Sequence, residues 1–325
     1  MVTDPIFEIA LDDASTITKI LQELNLLDDK ALLMVNNDGM RLILNSEKSF
    51  QISAFFAAST FNKFIYNSEQ HGQVNFRFLL NEFIECLYLL RDDQVDDREN
   101  RLYQMDDHSR SGDTTKTSLE LRYKSKGDVL RLKLANNSNC EVECGIKAFN
   151  LPDLSTVSPM TFNIGEDTAS IGFDSKKLYD YISGIDLTSS DLVNLHLQQG
   201  RVPVKICTRS ILLGEVELEI CDQDSEIIVR ELTVSSGCQF AFNYRTKFMK
   251  LALEALKTSI YMKLKCSSGG LLCTEHFYGM RDLLKPNLAD LMGADSMEYM
   301  TDKNTPPERK SSVEYFITAE AHPIE

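Results

Sequence analysis

The sequence predicts an α+β protein with two similar domains, each with two helices packed on an antiparallel sheet. The chain has 325 residues, and a domain averages about 150, so two domains are expected. Short segments in which apolar and polar residues alternate recur along the chain, which is typical of antiparallel strands. Helical periodicity occurs twice in each half, at corresponding places among the strands, so both halves follow one plan.

The first predicted domain covers 1–149. A strand at 6–11 precedes its first helix, and the Asp38-Gly39 pair between short apolar runs predicts a hairpin. The charged, polar segment 91–118 has few apolar residues and predicts a mobile loop. Apolar residues at helical spacing mark the two helices, at Ile17, Ile20, Leu21 and Leu24 and at Leu80, Phe83, Ile84 and Leu87.

The second predicted domain covers 163–325 and follows an interdomain connector at 150–162. A second long loop is predicted at 279–311, where prolines and polar residues are frequent. Strands are expected near 163–173, 191–197, 202–208, 214–220, 226–234 and 313–318. Helical spacing recurs at Leu178, Tyr181, Ile182 and Ile185, and at Phe248, Leu251, Ala252 and Ala255.

The composition restricts the possible partners. Lys and Arg total 34 against 49 Asp and Glu, a formal net charge of −15, so the whole surface does not attract nucleic acid or anionic membranes. Apolar runs are shorter than the about 18 residues that a membrane helix needs, and the first residues lack a signal-peptide pattern. The chain is therefore expected in the cytosol or nucleus, with reduced cysteines and no metal site.

Catalytic motifs are missing from the sequence. Neither glycine-rich nucleotide loops nor the common hydrolase motifs occur, and the five histidines are scattered. A 3'-5' exonuclease needs carboxylates gathered around two metal ions, whereas Asp92, Asp93, Asp96 and Asp97 lie in the predicted loop. We therefore expect no catalytic residues and no cofactor. A nuclease remains the enzymatic alternative. An adaptor protein that does not bind DNA is the non-enzymatic alternative.

Six stretches carry a resemblance to a known family. In the first half they are ASTITKILQELNLL, VNNDGMRLIL and FRFLLNEFIECL. In the second half they are FDSKKLYDYISGIDLTSSDLVNLHL, FNYRTKFMKLALEALKTSIYMKLKCSSGGLLCTEHFY and SSVEYF. In this order they resemble the Rad-one type subunit of the nine-one-one checkpoint clamp, which has the sliding-clamp fold of proliferating cell nuclear antigen.

The resemblance implies a non-enzymatic subunit of a heterotrimeric ring around double-stranded DNA, with two other clamp subunits as neighbours. It also implies a clamp loader that installs the ring at damaged DNA, recruitment of checkpoint and repair proteins, and a nuclear location. No cofactor or metal is implied. A homotrimeric replicative clamp has the same fold and is the alternative within the family of clamps.

In clamps of this kind, all four helices line the hole. The segments 14–27, 77–91, 175–185 and 244–257 hold nine basic and five acidic residues, a net charge of +4. Weak contacts from Lys and Arg are enough to follow DNA without reading its sequence. The residues expected to face DNA are Lys19, Lys176, Lys250 and Lys257, which lie opposite the apolar stripes, and Lys177 and Lys247 on their flanks.

The resemblance further implies two strand edges that pair with neighbouring subunits, at Cys140–Ala148 and Gly214–Ile220. An edge strand presents unpaired N–H and C=O groups and needs a partner or a cover. The expected interface residues are Cys140, Val142, Cys144, Ile146, Ala148, Gly214, Val216, Leu218 and Ile220.

Overall fold

The computed structural model describes residues 5–24, 30–46, 49–67, 74–90, 116–138, 140–149, 159–162, 168–183, 190–210, 214–221, 227–234, 240–278 and 311–320. Most of the predicted loops 91–118 and 279–311 lies outside these residues, and so does most of the predicted connector 150–162. The acidic run at 92–97 is also outside them.

The described residues form four α-helices and eighteen strands. The helices are α1 (Ser15–Leu24), α2 (Leu80–Tyr88), α3 (Ser175–Ile182) and α4 (Thr246–Glu254), which continues as a 3-10 turn at Ala255–Lys257. The strands of the first half are β1 (Phe7–Leu11), β2 (Lys30–Asn36), β3 (Gly39–Ser46), β4 (Phe50–Ala57), β5 (Lys63–Tyr66), β6 (Val74–Leu79), β7 (Thr117–Tyr123), β8 (Val129–Asn136) and β9 (Glu141–Lys147). Those of the second half are β10 (Thr168–Asp174), β11 (Leu192–Leu197), β12 (Val204–Ser210), β13 (Gly214–Ile220), β14 (Ile228–Val234), β15 (Phe240–Arg245), β16 (Tyr261–Ser267), β17 (Leu271–Phe277) and β18 (Ser312–Thr318).

The order of elements is duplicated along the chain. Each half runs strand, helix, five strands, helix and three strands, from β1 to β9 and again from β10 to β18. The strand pairing repeats as well, because β5-β1-β7-β8-β9 in the first half corresponds to β14-β10-β16-β17-β18 in the second. The pairing of β2 with β6 likewise corresponds to that of β11 with β15. The predicted α+β fold with two similar halves is confirmed.

The chain divides into two compact units. One is formed by Met1–Leu42 and Ala57–Leu154 and contains α1 and α2, and the other is formed by Ile43–Phe56 and Ser155–Glu325 and contains α3 and α4. Most of β4 belongs to the second unit, where it pairs antiparallel with β18. The predicted domain limits of 1–149 and 163–325 place residues 43–56 in the first domain, whereas these residues belong to the second compact unit.

The apolar stripes predicted from helical spacing are largely the buried faces of the helices. The described stripe residues that are buried are Ile17, Ile20, Leu21, Leu24, Leu80, Phe83, Ile84, Leu87, Leu178, Ile182, Phe248, Ala252 and Ala255. Tyr181 is an exception, since 40% of its surface is exposed. Its position on the predicted stripe of α3 therefore does not place it in the core.

The helices are shorter than the segments used to count their charge. Arg77 lies in β6, whose residues alternate between buried and less buried, and Arg245 is the last residue of β15, where it pairs with Leu192 of β11. The short strands β5 and β15 were not predicted from the sequence. β7 begins at Thr117, so the last two residues of the predicted loop 91–118 belong to a strand.

Candidate nucleic-acid and subunit interfaces

The six lysines predicted to face DNA are all exposed in the structure. Lys19 lies on α1, Lys176 and Lys177 on the first turn of α3, and Lys247 and Lys250 on α4. Each buried stripe occupies the opposite side of its helix, because it packs on the sheets. The prediction that these side chains reach the surface of the helices agrees with the structure, and contact with DNA stays a prediction.

The charge of the helices is concentrated in the second unit. Within the observed helices and the 3-10 turn, six lysines oppose five carboxylates, so the net charge is +1 rather than the +4 counted over the longer predicted segments. Helices α1 and α2 hold one lysine and three carboxylates, whereas α3, α4 and the turn hold five lysines and two carboxylates. The positive charge of the helices that can attract a polyanion is therefore concentrated on α3, α4 and the 3-10 turn.

A cleft of about 530 Å³ lies at the start of α4. Arg245 Nε donates to Glu320 Oε1 at 2.5 Å, and the backbone N–H of Thr246 donates to the Asp191 carbonyl at 3.0 Å. The buried Thr246 hydroxyl oxygen has no protein partner among the described residues. Helix N-termini and cations favour anions. The residues that line the cleft are Ser190, Asp191, Leu192, Arg245, Thr246, Lys247, Lys250 and Glu320.

Lys257 interacts with a carboxylate and with an aromatic ring. Its ammonium group forms an ion pair with Glu254, one turn back, and lies 5.4 Å from the centre of the Tyr179 ring. The hydrogen bond that this ammonium group donates to the Glu254 carboxylate raises the pKa of Lys257 above its ordinary value. Glu254 therefore neutralises part of the positive charge at the end of this helix, a pairing that a count of charges along the sequence does not show.

Both predicted interface segments are edge strands of their sheets. In the described part of the chain, β9 is the last strand of β5-β1-β7-β8-β9, and β13 is the first strand of β13-β12-β11-β15. The predicted interface residues Val142, Cys144, Ile146, Val216, Leu218 and Ile220 form the more buried row of each strand. Ala148 is buried, whereas Cys140 and Gly214 are exposed at the ends of the segments.

The exposed rows of the two edge strands consist mainly of glutamates, which were not among the predicted interface residues. On β9, Glu143 pairs with Arg131 at 3.0 Å and Glu141 with Lys133 at 2.9 Å. The alternation of glutamate with apolar residues in EVECGI was the signal that could have revealed this row.

The exposed row of β13 follows the same arrangement. Glu217 forms an ion pair with Lys205, which also lies 3.9 Å from Glu219, and Glu215 lies 3.8 Å from Arg209. The hydrogen bond between Lys205 and Glu217 lowers the pKa of Glu217 and raises that of Lys205. Both carboxylate and ammonium therefore stay charged at neutral pH.

Large apolar side chains are exposed on the helices that accompany the edges. Tyr181 of α3 donates its hydroxyl hydrogen to the backbone carbonyl of Glu219 in β13. Leu89, directly after α2, is 59% exposed.

Helix α2 contacts the edge strand β9 through two cysteines. Burial, aided by a hydrogen bond to Cys144 of β9, raises the pKa of Cys86 in α2 to about 12. That contact shows that α2 packs against β9, and it leaves the Cys86 thiol protonated and unreactive.

The described residues offer few other chemical sites. The cysteines among them are free thiols, and no group of three or more His, Cys, Asp or Glu residues in the described ranges is arranged to hold a metal ion. Cys238 lies outside those ranges. None of the described helices has the length and apolar character needed to cross a membrane.

Comparison with known protein families identifies a match that covers most of the chain. The family described as repair protein Rad1/Rec1/Rad17 matches residues 6–278, which is most of the chain. The chain belongs to the Rad1/Rec1/Rad17 family. A comparison with curated proteins found no match. The resemblance to the Rad-one type subunit and the predicted sliding-clamp fold are thereby confirmed, and this Rad1-family chain is a clamp-type subunit of the DNA damage checkpoint.

Proposed function

We propose that this Rad1-family chain is one subunit of a heterotrimeric ring that encloses double-stranded DNA. A clamp loader installs the ring at damaged DNA in the nucleus, and the ring then recruits checkpoint and repair proteins without catalysing a reaction. Its mechanism is topological, because a closed ring leaves DNA only when an interface opens. Affinity for any particular base sequence is therefore unnecessary.

Two strand edges that no other described strand covers carry this proposal. In the duplicated strand order, β9 holds the place in the first half that β18 holds in the second, and β13 holds the place of β4. Inside the chain, β18 and β4 pair with each other from Ser312 opposite Phe55 to Ile317 opposite Phe50. Their counterparts β9 and β13 have no such partner among the described strands. Pairing between neighbouring subunits would cover both edges in the same way.

The lysines of the second unit support contact with DNA. Lys176, Lys177, Lys247 and Lys250 lie exposed on α3 and α4. Since phosphate attraction is local and screened by salt, these side chains supply contacts that an overall negative chain otherwise lacks. Lys247 and Lys250 also line the cleft at the start of α4, where a backbone phosphate would meet the helix N-terminus.

Light scattering tests the assembly. The chain alone is expected to give the mass of a monomer, 36.8 kDa, and with the two other clamp subunits it is expected to form a complex with one copy of each. A stable homotrimer would instead support a replicative clamp. A chain that joins neither partner would contradict the ring and favour the adaptor.

Retention on nicked circular DNA tests enclosure. The loaded ring is expected to stay bound in high salt and to be released when the circle is cut, because the ring can then slide off the end of the linear DNA.

A double variant tests the contact with DNA. Replacing both Lys247 and Lys250 with Ala is expected to weaken initial DNA binding several-fold and to reduce its salt dependence. The exposed lysines Lys124 and Lys126, in the β7–β8 turn, provide the control, and an equal loss from their removal would contradict the assignment.

A further inference from the structure

The exposed rows of the two edge strands carry charges of the same sign. On β13 the row is Glu215, Glu217 and Glu219, and on β9 it includes Glu141 and Glu143. These five side chains are between 42% and 61% exposed. Lys147 is the one cation in the β9 row, at the far end of the strand, where it lies 5.4 Å from the centre of the Phe149 ring.

We propose that the β9 and β13 edges of this chain repel each other, and that each fits a neighbour whose edge strand presents lysine or arginine in its exposed row. This inference rests on the proposed function, because it concerns the same strand edges. It names the chemistry of the partners: strands with basic side chains on one face and apolar side chains on the other. It also gives a physical reason why the chain does not close a ring with copies of itself.

The geometry of strands brings the two acidic rows together in any self-pairing. Side chains alternate between the faces of a sheet with a period of two. A register that places the buried rows of β9 and β13 on one face therefore places both glutamate rows on the other. Directly opposed residues then have Cβ atoms about 4.5–5.5 Å apart and diagonal neighbours about 7–8 Å apart, and like charges at these positions destabilise the pairing.

The cations beside the glutamates do not remove this repulsion. Arg131 and Lys133 of β8 and Lys205 and Arg209 of β12 form the ion pairs on the inner side of each edge. A neighbouring strand would lie on the outer side, at the same spacing as the inner strand. A cation on the neighbouring strand would lie opposite a glutamate of β9 or β13, so positive and negative charges would alternate from strand to strand. A glutamate on the neighbouring strand would instead lie opposite another glutamate.

The junction inside the chain shows a pair of strands that fit. Along β18 and β4, Glu314 lies opposite Ser53, and the remaining five pairs contain no charged residue. This junction holds no pair of like charges, in contrast to the row that β9 and β13 would form. The choice of a neighbouring strand therefore depends on the glutamates of β9 and β13, since strands that pair in the same way within this fold lack such a row of like charges.

A charge exchange on the full-length chain tests the proposal. Sedimentation velocity at low salt compares the wild type with Glu217→Lys/Glu219→Lys on β13, and with a four-site variant that adds Glu141→Lys/Glu143→Lys on β9. The wild type is expected to remain monomeric. The two-site variant is expected to self-associate at least about tenfold more strongly, because its lysines meet the glutamates of β9 in a second copy. The four-site variant is expected to return to the monomer, and high salt is expected to weaken the gained association.

A control and a mirror variant make the result decisive. Asp12→Lys/Asp38→Lys changes the same amount of charge at exposed turn residues on neither edge strand, and it is expected to stay monomeric. If the β13 variant does not fold, Glu141→Lys/Glu143→Lys alone is expected to self-associate through the glutamates of β13. Self-association of the wild type would overturn the proposal, and so would a monomeric charge-exchange variant or an associating four-site variant.

The same samples separate this proposal from the proposed function. If charge exchange leaves a monomer while the wild type still joins two other clamp subunits, only the present inference fails. If charge exchange drives self-association but the wild type joins no other clamp subunit, the heterotrimeric ring fails and the repulsion between the edges stands.

Discussion

The hydroxyl group of Tyr181 on α3 donates a hydrogen bond of 2.9 Å to the backbone carbonyl of Glu219 on β13. This bond ties a helix to an edge strand and holds the aromatic ring, 40% exposed, beside that strand. Exposed tyrosines with a fixed position are frequent anchors of protein interfaces, since they bury much area at little entropic cost. The pair therefore extends the predicted interface from the strand to the helix.

Replacing Tyr181 with Ala is expected to weaken binding of the neighbour at the β13 edge by at least about tenfold. The fold is expected to persist, because the lost hydrogen bond is exposed and contributes only about 1 kcal/mol. Calorimetric titration with the neighbouring subunit measures the affinity. Ile260, 43% exposed and not on β13, is the matched control. An equal loss for Ile260→Ala would show that exposed apolar area in general is responsible.

Replacing Glu254 with Gln is expected to strengthen DNA binding by the assembled ring. The change removes the partner of Lys257 without altering the size of the side chain, so the ammonium group becomes available to phosphate. The expected gain is a few-fold, with a salt dependence that corresponds to about one more phosphate contact. Glu120→Gln removes one of the two carboxylates that pair with Arg122 on β7, the other being Glu8, and it should leave DNA affinity unchanged.

Replacing Gln51 with Ala is expected to make the segment 159–162 less firmly attached to β4. The Gln51 side chain donates to the Met160 carbonyl at 3.2 Å and accepts from the Met160 N–H at 2.9 Å. Loss of both bonds at a buried site is expected to cost about 2–3 kcal/mol of unfolding free energy. Hydrogen exchange should show faster exchange of the Met160 amide, and unchanged exchange there would mean that other contacts hold this segment.

The stability of the chain is expected to fall in mild acid because of His276. The ring is buried and contacts Ser259 Oγ at 3.3 Å and Thr274 Oγ1 at 3.2 Å. Burial lowers the pKa of His276 from 6.5 to about 3, so between these values the unfolded chain takes up a proton that the folded chain does not. This contribution is present above pH 6.5 and is lost as the pH falls towards 3.

Urea unfolding measures the size of that effect. The unfolding free energy at about pH 5 is expected to be about 2 kcal/mol lower than at about pH 7.5 through this residue. The His276→Gln variant should be less stable at neutral pH, because its neighbours lose their fit, and should show a correspondingly smaller acid loss. An unchanged difference between the two pH values would assign the acid sensitivity to carboxylates.

Local patterns were sufficient to predict much of the fold. Helical spacing located the buried faces of all four helices, and alternation located the strands β9 and β13, whose position at sheet edges was implied by the family resemblance. The pattern failed where a strand leads straight into a helix, because both periodicities fit the residues at the boundary. Arg77 and Arg245 were therefore counted with the helices although they lie in strands.

The remaining features depend on contacts between distant residues. The bonds between Gln51 and Met160 join positions 109 apart in the sequence, and those between Tyr181 and Glu219 join positions 38 apart. The glutamate rows become significant only once β9 and β13 are known to be edges, since the same alternation in a central strand would be an ordinary solvent-facing surface. Side-chain pairing also decides that Lys257 differs from Lys250, which spacing alone cannot show.

The two edge strands differ from each other, with Gly145 and Lys147 only on β9 and a third glutamate only on β13. Because the two edge strands are unlike, each pairs with a different strand of a neighbour, and such head-to-tail pairing gives one fixed circular order. In the proposed ring, two neighbours cannot exchange positions without meeting the wrong strand. The two flat sides of such a ring are therefore different, and a loader that recognises one side would thread every ring onto DNA in the same orientation.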